Sequence, residues 1–437
     1  MPDKPRNPSA HYGPRHARGP RHRAVPVRSV RARRARGLVR LLTATVAAVV
    51  VGVTGVGWYA SAGLDQGFTR SDVLTDEDAA ALDGDLNILL IGLDTRKDFD
   101  GKDLPREVLD ALHAGDSDVG GYNANSLILV HIPKDLSKIV AFSIPRDNYV
   151  DVSGIPGYSK VKIKEAYGLK KAAVEQDLME QGMTDPIELE HRGREAGRAS
   201  IVQTVRSLTG VPINRFAEIS LAGFYDLADA VGGVEVCLNN AVDDSYYSGA
   251  VFPAGRQHLD GAQALAFVRQ RHGLPNGDLD RTHRQQAFLM SVAKSLQDSG
   301  TFTDLGKLKR LVDVAHADMM LSKGWNLLEF AHTLGRAGSI PVEFRTLPVL
   351  RYATVNGQDV NIIDPDAIKR EVRTAFGLTP PTSTTTPGAD ADEAAETSGT
   401  TTSSATATTT TTATAASTPA AGEPVTGSIG DGIPCVN

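Results

Sequence analysis

Only two cysteines, Cys237 and Cys435, occur in the 437 residues. His272 and His283 stand eleven positions apart with no cysteines to match them, which argues against a zinc site. No period of 20–50 residues recurs, so a stacked-repeat architecture is excluded. Acids are nearly missing from the first 40 residues, where twelve Lys/Arg stand against Asp3 alone. The rest of a chain of net charge −6 is therefore strongly acidic. A basic leader points to nucleic acid or to an anionic membrane surface. It carries no helix-turn-helix pattern, and the uncharged run directly after it favours the membrane.

Charge is absent from Leu41 to Leu64, a run of 24 residues. As a helix this run is about 36 Å long, enough to cross a hydrocarbon core of about 30 Å. Arg34, Arg36 and Arg40 precede it and Asp65 comes next. The positive-inside rule then places residues 1–40 in the cytoplasm and everything beyond Asp65 outside. Trp58 and Tyr59 fall where an outer interfacial belt lies. A cleavable signal peptide is the competing reading, but the apolar run exceeds a usual signal core and the leader is long. Both cysteines fall outside in this topology, where an oxidising compartment favours one Cys237–Cys435 disulfide; a pair of free thiols is the alternative.

The boundaries expected from composition are a basic tail over 1–40, a transmembrane helix over 41–64 and a juxtamembrane spacer over 65–85. A folded domain occupies 86–378. Thr, Ala, Ser and Pro then dominate 379–429, which is expected to be disordered because it has too little apolar surface to offset its ordering entropy. Residues 430–437 regain apolar and cysteine character and read as a docked terminal patch. Within the domain, Asn87–Gly92, Ser126–Ile132, Lys138–Ile144, Phe216–Leu221 and Val234–Leu238 have strand character. Pro133–Ser137 has hairpin chemistry. Helical patterns cover parts of 161–206, then Ala222–Ala230, Gly261–Gln270, Arg281–Gln297 and Leu327–Leu334. This mixture without a strict βαβ repeat predicts an α/β fold, a mixed sheet covered by helices.

The richest stretch for chemistry runs Phe267-Val268-Arg269-Gln270-Arg271-His272 and Asp278-Leu279-Asp280-Arg281-Thr282-His283-Arg284-Gln285-Gln286. Guanidinium forks suit phosphate oxygens, because they donate two parallel, charge-assisted hydrogen bonds from one plane. Arg281 and Gln285 share a helix face, with Arg284 beside them. Arg269 and Arg271 point the same way if their stretch is extended. Asp278 and Asp280 could hold a divalent cation. The bland reading is a solvated face laced with ion pairs. Asp94-Thr95-Arg96 and Ser143-Ile144-Pro145-Arg146-Asp147, each at a strand end, carry the same two readings, and Lys162 and Lys164 by themselves read as surface lysines.

Taken together, these segments resemble the LytR-CpsA-Psr family of cell-wall glycopolymer ligases. The resemblance rests on Ile88–Arg96, Leu127–Asp151, Lys162–Tyr167, Phe216–Leu238 and Ala254–Gln286. Asp226–Val234 and Gly255–Leu265 are especially telling. It implies an α-β-α sandwich with a central mixed sheet and a hydrophobic tunnel for a polyprenyl chain. It implies a polyprenyl-pyrophosphate-linked glycan as donor, peptidoglycan as acceptor, and Mg²⁺ (or Mn²⁺) as cofactor, with no nucleic acid partner. Arg146, Lys162, Arg269, Arg271, Arg281, Arg284 and Gln285 would grip the pyrophosphate. Asp94, Arg146, Arg269, Arg271, Asp278 and Arg281 would form the catalytic set, with Asp94 as a general base. Asp94, Asn125 and Asp278 would bear on the cation. Asn125 stands where the family usually has Asp, and Lys164 where Asn is common, so metal affinity and turnover are the points in question. A hydrolase of the same lipid, or a binding member without turnover, are the alternative activities.

Overall fold

The computed structural model describes residues 67–378, with breaks at 81, 83, 116–120, 299–304 and 337–339, and then residues 425–428 and 433–437. The basic tail and the expected transmembrane stretch at 41–64 lie outside the described residues. Among the described residues no helix is long and apolar enough to cross a membrane.

The run Leu86–Asp94 is buried on both faces along most of its length. A strand of that kind belongs in the middle of a sheet covered on two sides, and there it lies. It pairs in parallel with Arg215–Ser220 and antiparallel with Asn123–Ile132. From edge to edge the sheet runs Thr69–Ser71, Met319–Ser322, Arg215–Ser220, Leu86–Asp94, Asn123–Ile132, Ile139–Ser143, Pro341–Thr346 and Val425–Ser428. It contains both parallel and antiparallel pairs, so the sheet is mixed.

Two of its edges revise the expected boundaries. Thr69–Ser71 pairs with Met320–Ser322, so the supposed spacer over 65–85 contributes a strand to the domain. Val425–Ser428, assigned by composition to the disordered tail, pairs with Pro341–Phe344. Backbone hydrogen bonding to an open sheet edge needs no apolar side chains, which is why composition did not reveal it. The rest of 379–424 lies outside the described residues.

One face of the sheet carries the helices Glu165–Glu180 and Pro186–Thr209, with Pro365–Ala375. Their core includes Tyr167, Ile201, Val205, Ile368 and Phe142. Pro186–Thr209 begins at an Asp185 cap with Pro at its first turn and ends at Gly210, whose φ of 67° suits glycine. The other face carries Leu221–Ala230, Gly261–Arg269 and Asp278–Asp298, which share a second core with a small sheet of Gly255–Leu259, Val234–Leu238 and Cys435–Val436. Cys435 sits opposite Cys237 in that sheet, and the two are joined by a disulfide across 198 positions.

Candidate functional site

A β-bulge interrupts the pairing of Leu86–Asp94 with Asn123–Ile132 between Gly92 and Leu93. Such a bulge re-aims the residues beyond it. Gly92 permits it, since a Cβ there would come within 2.9 Å of the Ser126 Cβ. Asp94 thereby turns toward Asn125, whose side-chain N–H donates to Asp94 Oδ2 at 2.7 Å. Arg96 donates to the other oxygen of Asp94 at 2.9 Å.

Three segments distant in the chain are then stitched by backbone. Lys164 N–H donates to the Arg146 carbonyl, and Ala124 N–H donates to the Lys164 carbonyl. This brings Arg146 next to Asn125, and its Nη1 donates to Asn125 Oδ1 at 2.8 Å. Arg146 Nε lies 3.4 Å from Asp147 and 3.5 Å from Asp278 Oδ1. Arg281 Nη2 meets the same Asp278 oxygen at 2.7 Å. Lys164 Nζ bonds Asp147 at 2.7 Å, with Lys162 Nζ at 3.8 Å. Six cations, Arg96, Arg146, Lys162, Lys164, Arg271 and Arg281, thus gather round three carboxylates.

Burial, and after it the neighbouring charges, shift the proton affinities of these groups. Burial pushes Arg281 down to about 10; Asp278 counters this, while repulsion from Arg146 and Arg271 adds to it. Burial also lowers Arg269 and Lys164. Asp147 is pushed up by burial, but the Lys164 hydrogen bond and the charges of Arg146, Lys164 and Lys162 outweigh that and leave it below the ordinary carboxylate range. The buried Nε atoms of Arg146 and Arg281 have no hydrogen-bond acceptor. Buried donors of this kind are costly unless a ligand completes them.

Beside this cluster opens a cavity of about 490 Å³. Its polar mouth includes Asp94, Asn125, Arg269, Arg271, Arg281 and Gln285, and its walls include Ile128, Ile219, Phe224, Leu227, Phe288 and Met319. Arg281 and Gln285 share a helix face as their spacing requires, and both line it. Arg269 closes its helix instead of lying in an extended stretch: the capping box of Asp260 and Gln263 starts that helix, which runs on to Arg269 before Gln270 turns the chain. Arg269 donates to the Leu112 carbonyl at 2.6 Å.

Arg284 does not reach the cavity. It is fully buried, with Nε donating to the Asn437 carbonyl and Nη1 to Gln270, so it braces the corner between two helices. Lys162 faces Asp147 and does not line the cavity. Asp147, the hub of the cation cluster, was legible only as half of an ambiguous Arg-Asp pair. Lys162 and Lys164 gave no signal for it, since Lys162 ends a short strand and Lys164 lies in the turn that opens the next helix.

Asp94 and Asn125 line the apolar cavity, whereas Asp278 is not among its lining residues. Asp278 lines a different groove and pairs with Arg281, and among the described residues no group of three or more His, Cys, Asp or Glu is placed to hold a metal. Mg²⁺ commonly takes one or two protein carboxylates and completes its shell from phosphate oxygens and water. Asp94 beside Asn125 at the cavity mouth fits that role, and a protein-only cage does not.

A mixed sheet between helical layers, with a cation-rich mouth on an apolar cavity, defines the class as an α/β sandwich domain. Residues 65–375 match the LytR_cpsA_psr family, and the chain belongs to it. It is 40% identical over 352 residues to the cell wall biosynthesis protein LcpA of Corynebacterium glutamicum, covering 78% of this chain and 66% of LcpA. It is 28% identical over 288 residues to the polyisoprenyl-teichoic acid–peptidoglycan teichoic acid transferase TagU of Oceanobacillus iheyensis, covering 64% of this chain and 74% of that one. Protein gbs0355 of Streptococcus agalactiae has the same fold, with a TM-score of 0.52 at 20% identity over 72% of this chain and 93% of that one.

Proposed function

We propose that this chain transfers a glycopolymer from a polyprenyl pyrophosphate carrier to peptidoglycan, leaving a phosphodiester link and releasing polyprenyl phosphate. The observation that carries this reading is the buried, acceptor-less Nε of Arg281, a residue lining the apolar cavity, with the likewise acceptor-less Nε of Arg146 beside it across Asp278. The guanidiniums meet the two linked phosphates and stabilise the charge that develops as the bond between them breaks. The hydrocarbon chain lies against Phe224, Leu227 and Phe288, out of water. The names of the relatives in Corynebacterium and Oceanobacillus support cell-wall chemistry of this kind.

Mg²⁺ is part of the proposal. Asp94 would hold it, and it supplies further neutralisation of the phosphate oxygens. Arg96 and Asn125 hold the Asp94 carboxylate in its orientation. The uncharged run at 41–64 supports a single anchor with the domain outside the cell, where both lipid carrier and acceptor are within reach. Incubating the purified chain with lipid-linked glycan and peptidoglycan fragments gives the joined product in Mg²⁺, little of it in EDTA, and far less of it with Arg281→Ala. Release of free glycan phosphate without joined product would identify a hydrolase instead.

A further inference from the structure

The cation cluster has a second side. Asp147 and Asp278 line a groove of about 550 Å³ whose opposite wall is the hairpin Arg351–Val355 and Gln358–Ile362. Arg146 spans the two spaces: its Nη1 bonds Asn125, which lines the apolar cavity, and its Nε lies near Asp147 and Asp278 in the groove. Arg281 lines the cavity and pairs with Asp278 across the same divide. The hairpin is fastened to this spot by the Asn361 N–H, which donates to the Asp147 carbonyl at 2.8 Å.

The groove has the chemistry that recognises a sugar ring. In the hairpin register Tyr352 lies opposite Asn361 and Thr354 opposite Asp359, so the four side chains share a face. Tyr352 is 56% exposed although its ring is a large apolar surface. An exposed ring beside hydroxyl, amide and carboxylate groups offers stacking for the sugar face and hydrogen bonds for its rim.

Displacement at phosphorus requires the entering and departing oxygens to lie roughly in line. With the polyprenyl phosphate departing on the cavity side, the entering hydroxyl comes from the groove side. Tyr247 and His272, stacked with ring centroids 3.7 Å apart, line the cavity and would receive the donor's own sugars there.

We propose that this groove is the acceptor subsite and holds a hexopyranose unit of a peptidoglycan strand, with Tyr352 under its ring; this rests on the transfer reading above. The acceptor hydroxyl oxygen bonds to the glycan-side phosphorus as the bond from that phosphorus to the oxygen of polyprenyl phosphate breaks. The hydroxyl proton passes to the carboxylate of Asp278, which lines the groove and is held in place by its ion pairs with Arg146 and Arg281. Asp94 is ill placed for that step, since it lines the cavity and not the groove.

The test titrates the full chain with a soluble disaccharide-peptide fragment of peptidoglycan, and measures transfer with donor and acceptor varied separately. Tyr352→Ala is expected to weaken fragment binding and raise the acceptor KM about tenfold each, with the donor KM held, and Tyr352→Phe to restore both. Tyr247→Ala is expected to raise the donor KM. If Tyr352→Ala moves the donor KM instead, the groove holds donor sugars; if it moves neither binding nor KM, the groove is not a sugar site. Either result overturns the assignment. A wild type that binds the fragment through Tyr352 but never forms joined product would retain the subsite and remove the transfer reading.

Discussion

Arg281 spends one arm of its guanidinium on Asp278 and leaves its buried Nε without an acceptor. A lysine at this position keeps a charge but not the planar fork. Arg281→Ala is therefore expected to lower transfer by about 10²–10³-fold, and Arg281→Lys to recover only part of it, measured as kcat on lipid-linked glycan. Equal activity in Arg281→Lys and wild type would show that a point charge suffices. Asn125 offers a second test. Its amide donates to Asp94 and accepts from Arg146. In Asn125→Asp two carboxylates face each other with no proton between them, and a divalent cation relieves that repulsion. The Mg²⁺ concentration giving half-maximal activity should fall about tenfold, and an unchanged titration would remove Asp94 from the metal's shell. At this scale the sequence was informative wherever helical spacing decided direction, as for Arg281 and Gln285. It put Arg284, one position from Gln285, at the phosphates, where the structure has it in the core, because the choice between cavity and core depends on where Asn437 and Gln270 arrive from elsewhere.

Elements carry the site by keeping their own charges satisfied. The helix Pro186–Thr209 faces Arg215–Ser220 through ionised groups as well as apolar packing. Arg198 bonds both oxygens of Glu218 at 2.9 and 3.1 Å, and Arg194 bonds Glu190 at 2.5 Å, all of them buried. Strand residues Phe216, Ala217 and Ile219 read as apolar strand in the sequence, but nothing there paired Glu218 with an arginine twenty positions earlier. Glu218→Gln leaves buried Arg198 with only the partly exposed Glu195 as counter-charge, and unfolding in urea should show a loss of about 3 kcal/mol. A loss below about 1 kcal/mol would mean that water reaches the pair. On Asn123–Ile132, His131 is held between Asn87, at 2.8 Å, and the stacked ring of Phe376. Burial lowers its affinity for a proton, with only a partial offset from Asp85. The unfolded chain therefore takes up that proton first as pH falls through about 6.5. Stability is full above that value and declines below it. The melting temperature should drop between about pH 7 and pH 5.5, and His131→Gln should flatten the decline.

Across the whole molecule, the apolar strands and the capped helices were readable one at a time, because each buries its own periodic face. What joins them was not. The strands Thr69–Ser71 and Val425–Ser428 are held by backbone pairing to partners far along the chain, and the hairpin over 351–362 is tied by backbone to Asp147, which no local pattern announces. The C-terminal strand is the extreme case. Cys435–Val436 adds to Val234–Leu238, Val436 enters the second core, and Asn437 accepts from Arg284. Arg284 in turn grips Gln270, the corner from which Arg269 and Arg271 project toward the cavity. A bridge closing 198 positions limits the unfolded chain by about 4–5 kcal/mol in loop-entropy models. Reduction, or Cys237→Ser with Cys435→Ser, should therefore lower the melting temperature by on the order of 10 °C. Because the freed strand also releases Arg284, transfer activity should fall at temperatures below the global transition, with the donor KM rising first. Scanning calorimetry and donor titrations on oxidised and reduced protein decide the matter: a melting point that drops while the donor KM holds would confine the bridge to stability and detach it from the phosphate site.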